Sequence, residues 1–298
     1  MMSDAKPPVL AIAAPVRGEA PYLLEWIAYH RALGIRAFVL GDNAEGDDPT
    51  SALLQALHQR HIAFRFDWRG RTHFQIEFNR QALDAARLFA DGMFLIDVDE
   101  FLRPADGFSL LEIAQKWLSD PNVGAVALNW AVYGSSDRVE AGDGLVIERF
   151  TRRAPQDFPI NRHAKPFARV SACAGPAGNP HAVALHTGRY TDTLGQDVAW
   201  DTTRADPVGL TTKVIWDVLR VDHFVVKSHA EFLAKQARGS PMLPTRTWDG
   251  YFERHNRNDV EDPVPLELVE RTKAEMAKIA AQLADATPAV PAASPASQ

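Results

Sequence analysis

Asp97-Val98-Asp99 follows directly on the apolar run Met93-Phe94-Leu95-Ile96 and leads into Glu100-Phe101. Two carboxylates one residue apart, delivered at the end of a strand, have a specific chemical use. In an extended chain residues i and i+2 point the same way, so Asp97 and Asp99 are expected to reach one divalent cation, directly or through water. Hard ions such as Mg²⁺ and Mn²⁺ take oxygen ligands and often keep substrate phosphates in their remaining positions. The plain alternative is a solvated acidic turn. The strand in front of the pair favours the first reading, because ligands of open α/β sheets sit at the carboxyl ends of strands.

The elements that would hold this pair are legible on either side of it. Val9 to Ala14 is nearly continuous in apolar residues, as a strand buried on both faces is. Ala20 to Leu33 carries Leu23, Leu24, Ile27, Ala28 and Leu33 close to a 3.6 period, and Gly34 closes the helix. Ala37 to Leu40 is a second strand. Thr50 is the expected N-cap of a helix with Leu53, Leu54 and Leu57. Ile62 to Phe66, Met93 to Ile96 and Val123 to Leu128 are three further strands, with a helix over Phe74 to Phe89. Alternation at this spacing predicts βαβ units and a mainly parallel sheet.

From Gly134 to Asp222 turn signals dominate, with short strand-like runs at Leu145-Val146-Ile147 and Phe167 to Val170. Ser228-His229-Ala230-Glu231 matches a capping box at the start of a helix, and Leu266 to Leu283 is amphipathic. Four stretches follow: an α/β half over 9–133, a loop-rich half of the same domain over 134–258, a C-terminal helix over 259–283, and an Ala/Pro/Ser-rich tail over 284–298 expected to be disordered.

Composition narrows the class. The 298 residues are 46% hydrophobic and 23% charged, with 32 basic against 38 acidic side chains and a pI near 5.9. No basic excess or stripe marks a nucleic-acid binder. The single Cys173 excludes an intrachain disulfide framework. No run of apolar residues is long enough to span a membrane, and the N-terminal segment does not read as a signal peptide. The expectation is a cytoplasmic enzyme that meets any phosphate through a few local groups or a metal ion.

Asp97-Val98-Asp99-Glu100-Phe101 after an apolar strand, with Asn129-Trp130 about thirty residues on, resembles the glycosyltransferase family 2-like proteins. Within them it resembles the branch related to the DUF23, or family 92, glycosyltransferases. Arg17 to His30 is similar to that group's first βα segment, Asp42-Asn43 to the pair after its second strand, and Gln75 and Asn79 to residues of the helix before its acidic motif. Asp222-His223-Phe224 to Lys227-Ser228, then Glu231-Phe232, Lys235 and Arg238-Gly239, resembles the closing motif. The likeness spans roughly Val9 to Asn258. Gly18 and Asp222 depart from it, each standing where the group commonly has Asn. The resemblance implies a GT-A, Rossmann-like fold and a nucleotide-diphosphate-sugar donor, by the group's pattern a UDP-sugar. It also implies a divalent metal (Mn²⁺ or Mg²⁺) on Asp97 and Asp99, and transfer with inversion.

The remaining candidates are read beside that likeness. His223, after the apolar stretch Val218 to Val221, is the expected third metal ligand, with His181 and His186 as competitors. Asp222 adds a carboxylate next to it. Glu19 and Asp42, just past the first two strands, are expected to accept hydrogen bonds from a ribose or a base edge. Glu19 equally suits a helix N-terminus. Gln75 and Asn79 share a helix face at i and i+4 and are donor-binding candidates. Among Lys227, Lys235 and Arg238, one is expected to meet the diphosphate. Inversion needs a general base at the acceptor hydroxyl. Glu231 and Asp217 are the first candidates, Asp222 and Glu148 the others, and for Glu231 the capping box competes. Trp130, Tyr133, Trp200, Trp216, Trp248 and Tyr251 are candidates for stacking on sugars. The acceptor, whether glycan, lipid-linked or protein, lies in 134–222 and is not specified.

Two other classes share the acidic motif. In haloacid-dehalogenase-type phosphatases an Asp-x-Asp sits on the first strand, whereas here it follows the fourth. A carbohydrate- or nucleotide-binding module without catalysis is the non-enzyme alternative. No Gly-x-Gly-x-x-Gly or Gly-Lys-Ser/Thr loop is present.

Overall fold

The apolar run near the N-terminus forms a strand because each of its faces meets a separate core. In β1 (Leu10–Val16), Leu10, Ile12 and Ala14 face one cluster, and Ala11 and Ala13 the other. The computed structural model describes residues 6–203, 209–239 and 247–285. Its elements run β1, α1 (Ala20–Ala32), β2 (Ala37–Asp42), α2 (Pro49–Gln59), β3 (Phe64–Asp67), α3 (Gln75–Ala86), β4 (Gly92–Leu95), β5 (Glu100–Pro104), α4 (Leu110–Ser119) and β6 (Val123–Val132). They continue with α5 (Val146–Arg149), β7 (Arg152–Arg153), β8 (Ala164–Arg169), β9 (Cys173–Pro176), β10 (Val183–Leu185), β11 (Arg189–Thr191), β12 (Leu219–His223), α6 (His229–Arg238), α7 (Tyr251–His255), β13 (Val260–Glu261) and α8 (Leu266–Ala284).

The main sheet runs β3-β2-β1-β4-β8-β6-β12-β5, with β11 also on β6. Its first four strands are parallel. β8 is antiparallel to β4 and β6, and β5 is antiparallel to β12. β8, from the later half of the chain, lies between two strands of the earlier half, so 9–133 and 134–258 share one sheet. β6 is ten residues long. On the edge away from β8 it takes β11 along Val123–Val126 and β12 along Trp130–Val132. α1, α4 and α8 cover one face of the sheet, with Trp26, Ile113, Trp117, Val269 and Ile279 in its core; α3 covers the other, with Phe78, Ala82 and Leu83.

Local chemistry explains the boundaries. Gly34 takes φ +103° after α1, a left-handed stop that glycine adopts at little cost. The cap of α2 is Asp48, whose side chain accepts from the Thr50 amide. Thr50, read as the cap from sequence, lies inside the helix and accepts from the Ala20 amide, tying α2 to α1. Leu145-Val146-Ile147, read as a strand, is the start of a helical turn because buried Glu25 accepts from the Val146 and Ile147 amides. A distant carboxylate supplies the cap that the local sequence lacks. The capping box of Ser228 and Glu231 forms as read. β5 and α4 follow the acidic motif and were not anticipated. Among the described residues no helix is long and apolar enough to cross a membrane. Beyond Asp285, the expected tail lies outside the described residues.

Candidate functional site

β1 pairs β2 on one side and β4 on the other. The chain direction across the sheet therefore reverses between β1 and β4, and a crevice opens at their carboxyl ends, where α/β sheets bind ligands. Glu19 follows β1 on one wall and Asp97 to Asp99 follow β4 on the other. β12 ends nearby with His223, and α6 brings Lys235 and Arg238 across.

The two carboxylates do not project as an extended i, i+2 pair. After Leu95 the chain leaves the sheet and turns, with the Glu100 amide donating to the Asp97 carbonyl at 3.1 Å. Asp97 points toward α3 and β8, accepting from Gln75 Nε2 at 2.9 Å and pairing with Lys165 Nζ at 2.6 Å. Asp99 points toward β12 and α6, pairing with Lys235 Nζ at 2.6 Å, with His223 Nε2 3.6 Å away. Burial pushes Asp99 up, but the Lys235 ammonium and His223 outweigh it and hold the carboxyl well below the ordinary range. Glu100 is fully buried; it accepts from the Asp97 amide, and one of its oxygens has no partner. Burial raises its pKa, against the opposing pull of Lys165.

Glu19 accepts from Arg238 at 2.8 Å with one oxygen, and the other is buried without a partner. Lys227 is 5% exposed and takes φ +56°, a region that costs a non-glycine residue energy and persists where the surroundings impose it. Its ammonium lies 4.4 Å from the centroid of the Tyr22 ring. No carboxylate among the described residues pairs with it, and burial lowers its pKa against the pull of Glu19 and Asp99. Gln75, Asp97, Asp99, Glu19, His223, Lys227, Lys235 and Arg238 are thus gathered around one crevice, with Asn79 buried one turn further along α3.

The other candidates sit elsewhere or are already engaged. Asp42 is fully buried and accepts from Ser51, Arg65 and the Ala44 amide, so its oxygens are taken by the protein. Glu231 accepts two hydrogen bonds of 2.9 Å from Arg149, one from Tyr22 and one from the Ser228 amide. Burial raises its pKa, but these partners outweigh burial and lower it to about 2. Asp217 is exposed ahead of β12, and Glu148 is exposed and bonded to Lys273. Asp222 lies on the opposite face of β12 from His223, as strand alternation requires. There it pairs with Arg103 and Arg220, away from the carboxylate pair. His186 is exposed.

His181 and His163 join His223 around Trp130, at ring separations of 5.2, 4.9 and 4.3 Å. With His163 stacked on it and His223 tilted against it, Trp130 is a packed ring rather than an open sugar platform. His181 Nδ1 lies 3.0 Å from the Ala164 carbonyl oxygen. That oxygen only accepts, so Nδ1 carries the proton. Of the other aromatic candidates, Trp216 lies under Arg153 and Arg220, Tyr133 is fully buried, and Trp248 and Tyr251 pack on Phe232.

Lys165, Glu100 and His163 were not anticipated. A signal for Lys165 was present: it is the one charged residue inside Ala164-Lys165-Pro166-Phe167-Ala168, and charged side chains are almost never fully buried unless paired.

The carboxylates at this site are already neutralised within the protein. Each Asp is engaged by an ammonium at 2.6 Å. Among the described residues no three His, Cys, Asp or Glu side chains form a metal-holding group. As folded, these residues do not fit a bound metal.

No protein-family model matches the chain. The sequence is 25% identical over 144 residues to a glycosyltransferase family 92 protein of Oryza sativa subsp. japonica, covering 48% of this chain and 24% of that protein. It is 26% identical over 132 residues to a family 92 protein of Ricinus communis, covering 44% and 24%. The chain thus spans about a quarter of the length of the curated relatives it matches. Among solved structures, S. aureus TarS 1–349 in complex with UDP aligns with a TM-score of 0.37 at 12% identity, over 55% of this chain and 47% of that one. HddC from Yersinia pseudotuberculosis aligns at 0.32 and 9%, over 61% and 89%.

Proposed function

We propose that this protein is a glycosyltransferase of GT-A type that transfers a sugar from a nucleotide-diphosphate donor to a hydroxyl acceptor. The observation that carries the reading is the crevice between the carboxyl ends of β1 and β4. It is walled by Glu19, Gln75, Asp97 and Asp99 and faced by Lys227, Lys235 and Arg238. The similarity to family 92 glycosyltransferases supports the same activity.

In this reading the nucleoside lies toward Glu19, whose unpaired oxygen accepts from a ribose hydroxyl or a base edge. The diphosphate lies toward the lysines. Transfer forms the bond from acceptor oxygen to anomeric carbon and breaks the bond from that carbon to the phosphate oxygen. Approach from opposite sides inverts the centre. The leaving diphosphate gains charge as its bond breaks, and cationic groups fixed in place beforehand stabilise that charge. The hydroxyl proton passes to a base, a role for which Glu231 is poorly placed because its oxygens are occupied.

The test is release of nucleoside diphosphate from a panel of UDP-, GDP-, dTDP- and ADP-sugars by wild type and Asp99→Asn. Turnover of one donor that the variant lowers by about 10²-fold or more supports the reading, on the scale of losing a transition-state charge contact. Donor binding without turnover against any sugar acceptor tried would favour a binding module instead.

A further inference from the structure

Four carboxylates and four cationic side chains lie at or beneath the crevice. Glu19 pairs with Arg238, Asp97 with Lys165, Asp99 with Lys235, and Glu100 lies 3.4 Å from Lys165. Lys227 alone among these cations makes no ion pair with a described residue. Its charged neighbours are Glu19, Asp99, Lys235 and Arg238, so it stands between the two walls. An unpaired buried ammonium is costly unless a ligand completes it, and the strained backbone at Lys227 keeps it there. Lys235 has a second, partial vacancy. An ammonium has three N–H groups, and Lys235 donates to Asp99 and to the Val225 carbonyl, which leaves one.

The same lysines bear on what can approach the Asp pair. Lys165 is 1% exposed, its ammonium held by Asp97 and Glu100. A divalent ion reaching Asp97, whose side chain is 33% exposed, would have to share the carboxylate with that ammonium 2.6 Å away, and like charges that close repel. An anion meets no such obstacle beside Lys227 and Lys235.

We infer that the donor's diphosphate is received by the ammonium of Lys227 and the remaining N–H of Lys235, and that lysines fill the counter-charge role otherwise expected of a divalent ion. The inference rests on the glycosyltransferase reading and narrows it to a donor class bound without metal. Asp97 and Asp99 then act by fixing the lysines rather than by holding an ion.

The experiment is calorimetric binding of UDP, GDP, dTDP and ADP to the full chain, in excess EDTA and in excess Mn²⁺. The same titrations are run on Lys227→Gln and Lys227→Arg, with near-ultraviolet circular dichroism to check folding. The expected result is a nucleoside diphosphate that binds in EDTA within about threefold of its affinity in Mn²⁺, weakened at least about tenfold by Lys227→Gln and less by Lys227→Arg, as expected for a charge-assisted contact. Binding that appears only with Mn²⁺, or is unchanged in a folded Lys227→Gln, overturns the inference and leaves the glycosyltransferase reading standing. No binding of any of the four under either condition overturns both. Should Lys227→Gln not fold, the EDTA and Mn²⁺ titrations of wild type still decide the metal question, and Lys227→Arg the placement.

Discussion

Glu231 has both oxygens engaged by Arg149, Tyr22 and the Ser228 amide, so a structural and a catalytic role predict different outcomes. Removing one member of a buried pair leaves the other uncompensated, at about 3 kcal/mol. Glu231→Ala is therefore expected to lower Tm by roughly 5 °C for a chain of this size while the folded fraction keeps most of its turnover. A large fall in kcat at unchanged Tm would instead restore Glu231 as the base. The pH dependence has a definite sign. The folded pKa, about 2, lies below the ordinary carboxylate value. The pair's stabilisation is thus complete above about pH 4.5 and is lost as pH falls toward 2. Denaturation midpoints measured across that window should slope in wild type and flatten in Glu231→Gln.

His30 shows how an element is fixed by a side chain. It is fully buried on α1, with Nδ1 2.8 Å from the Trp26 carbonyl oxygen and Nε2 accepting from the Leu102 amide of β5. The neutral ring is thus wired to both, and burial pulls its pKa down to about 3. A depressed value contributes stability that is full above the unfolded pKa, near 6.5, and declines as pH falls toward 3. His30→Gln should remove that part of the acid slope in unfolding experiments. Gly34 is the second device. At φ +103°, with Leu111 Cδ1 2.9 Å from where a Cβ would stand, Gly34→Ala should cost about 1–3 kcal/mol in chemical denaturation.

The elements were more legible than their joints. β1, β2, β4 and α1, α3, α6 and α8 follow from apolar periodicity, with Gly34 closing α1 and Ser228 and Gly239 bounding α6. β5 begins inside the acidic motif, and its polar ends hide a strand that β12 completes by antiparallel pairing. The helical turn at Val146 depends on Glu25, more than a hundred residues earlier. Asp97, Asp99, Gln75 and the His223-to-Arg238 cluster were readable as chemistry. Lys165 stood out as a lone charge in an apolar run, but its pairing with Asp97 was not legible, because that contact exists only once β8 lies between β4 and β6.

At the scale of the whole molecule, a charge network ties the C-terminal segment to the sheet. Asp262 accepts from Arg153 and Arg220, Arg103 lies 3.7 Å from it, and both Arg103 and Arg220 also reach Asp222 behind His223. Asp262→Ala leaves three arginines short of a partner and is expected to cost about 3–5 kcal/mol in urea denaturation. Because the network holds β12, it is also expected to weaken donor binding. A loss of stability with donor affinity intact in the folded fraction would show that β12 holds its register without it.

The crevice also has a history within each molecule's synthesis. Its contacts join residues 136 apart at Asp99–Lys235 and 219 apart at Glu19–Arg238. When the ribosome has just released Asp97, Asp99 and Glu100, the lysines that neutralise them do not yet exist. At about 5–20 residues per second, Lys235 follows roughly 7–30 s later. Until β8 is made the β4 edge has no partner on that side, and until Lys165 and then Lys235 are made the acidic turn has none of its cations. An unpaired edge of this kind invites association with other chains. Over the same interval the acidic turn holds three carboxylates without counter-charge, and their mutual repulsion is relieved as Lys165 and then Lys235 are added.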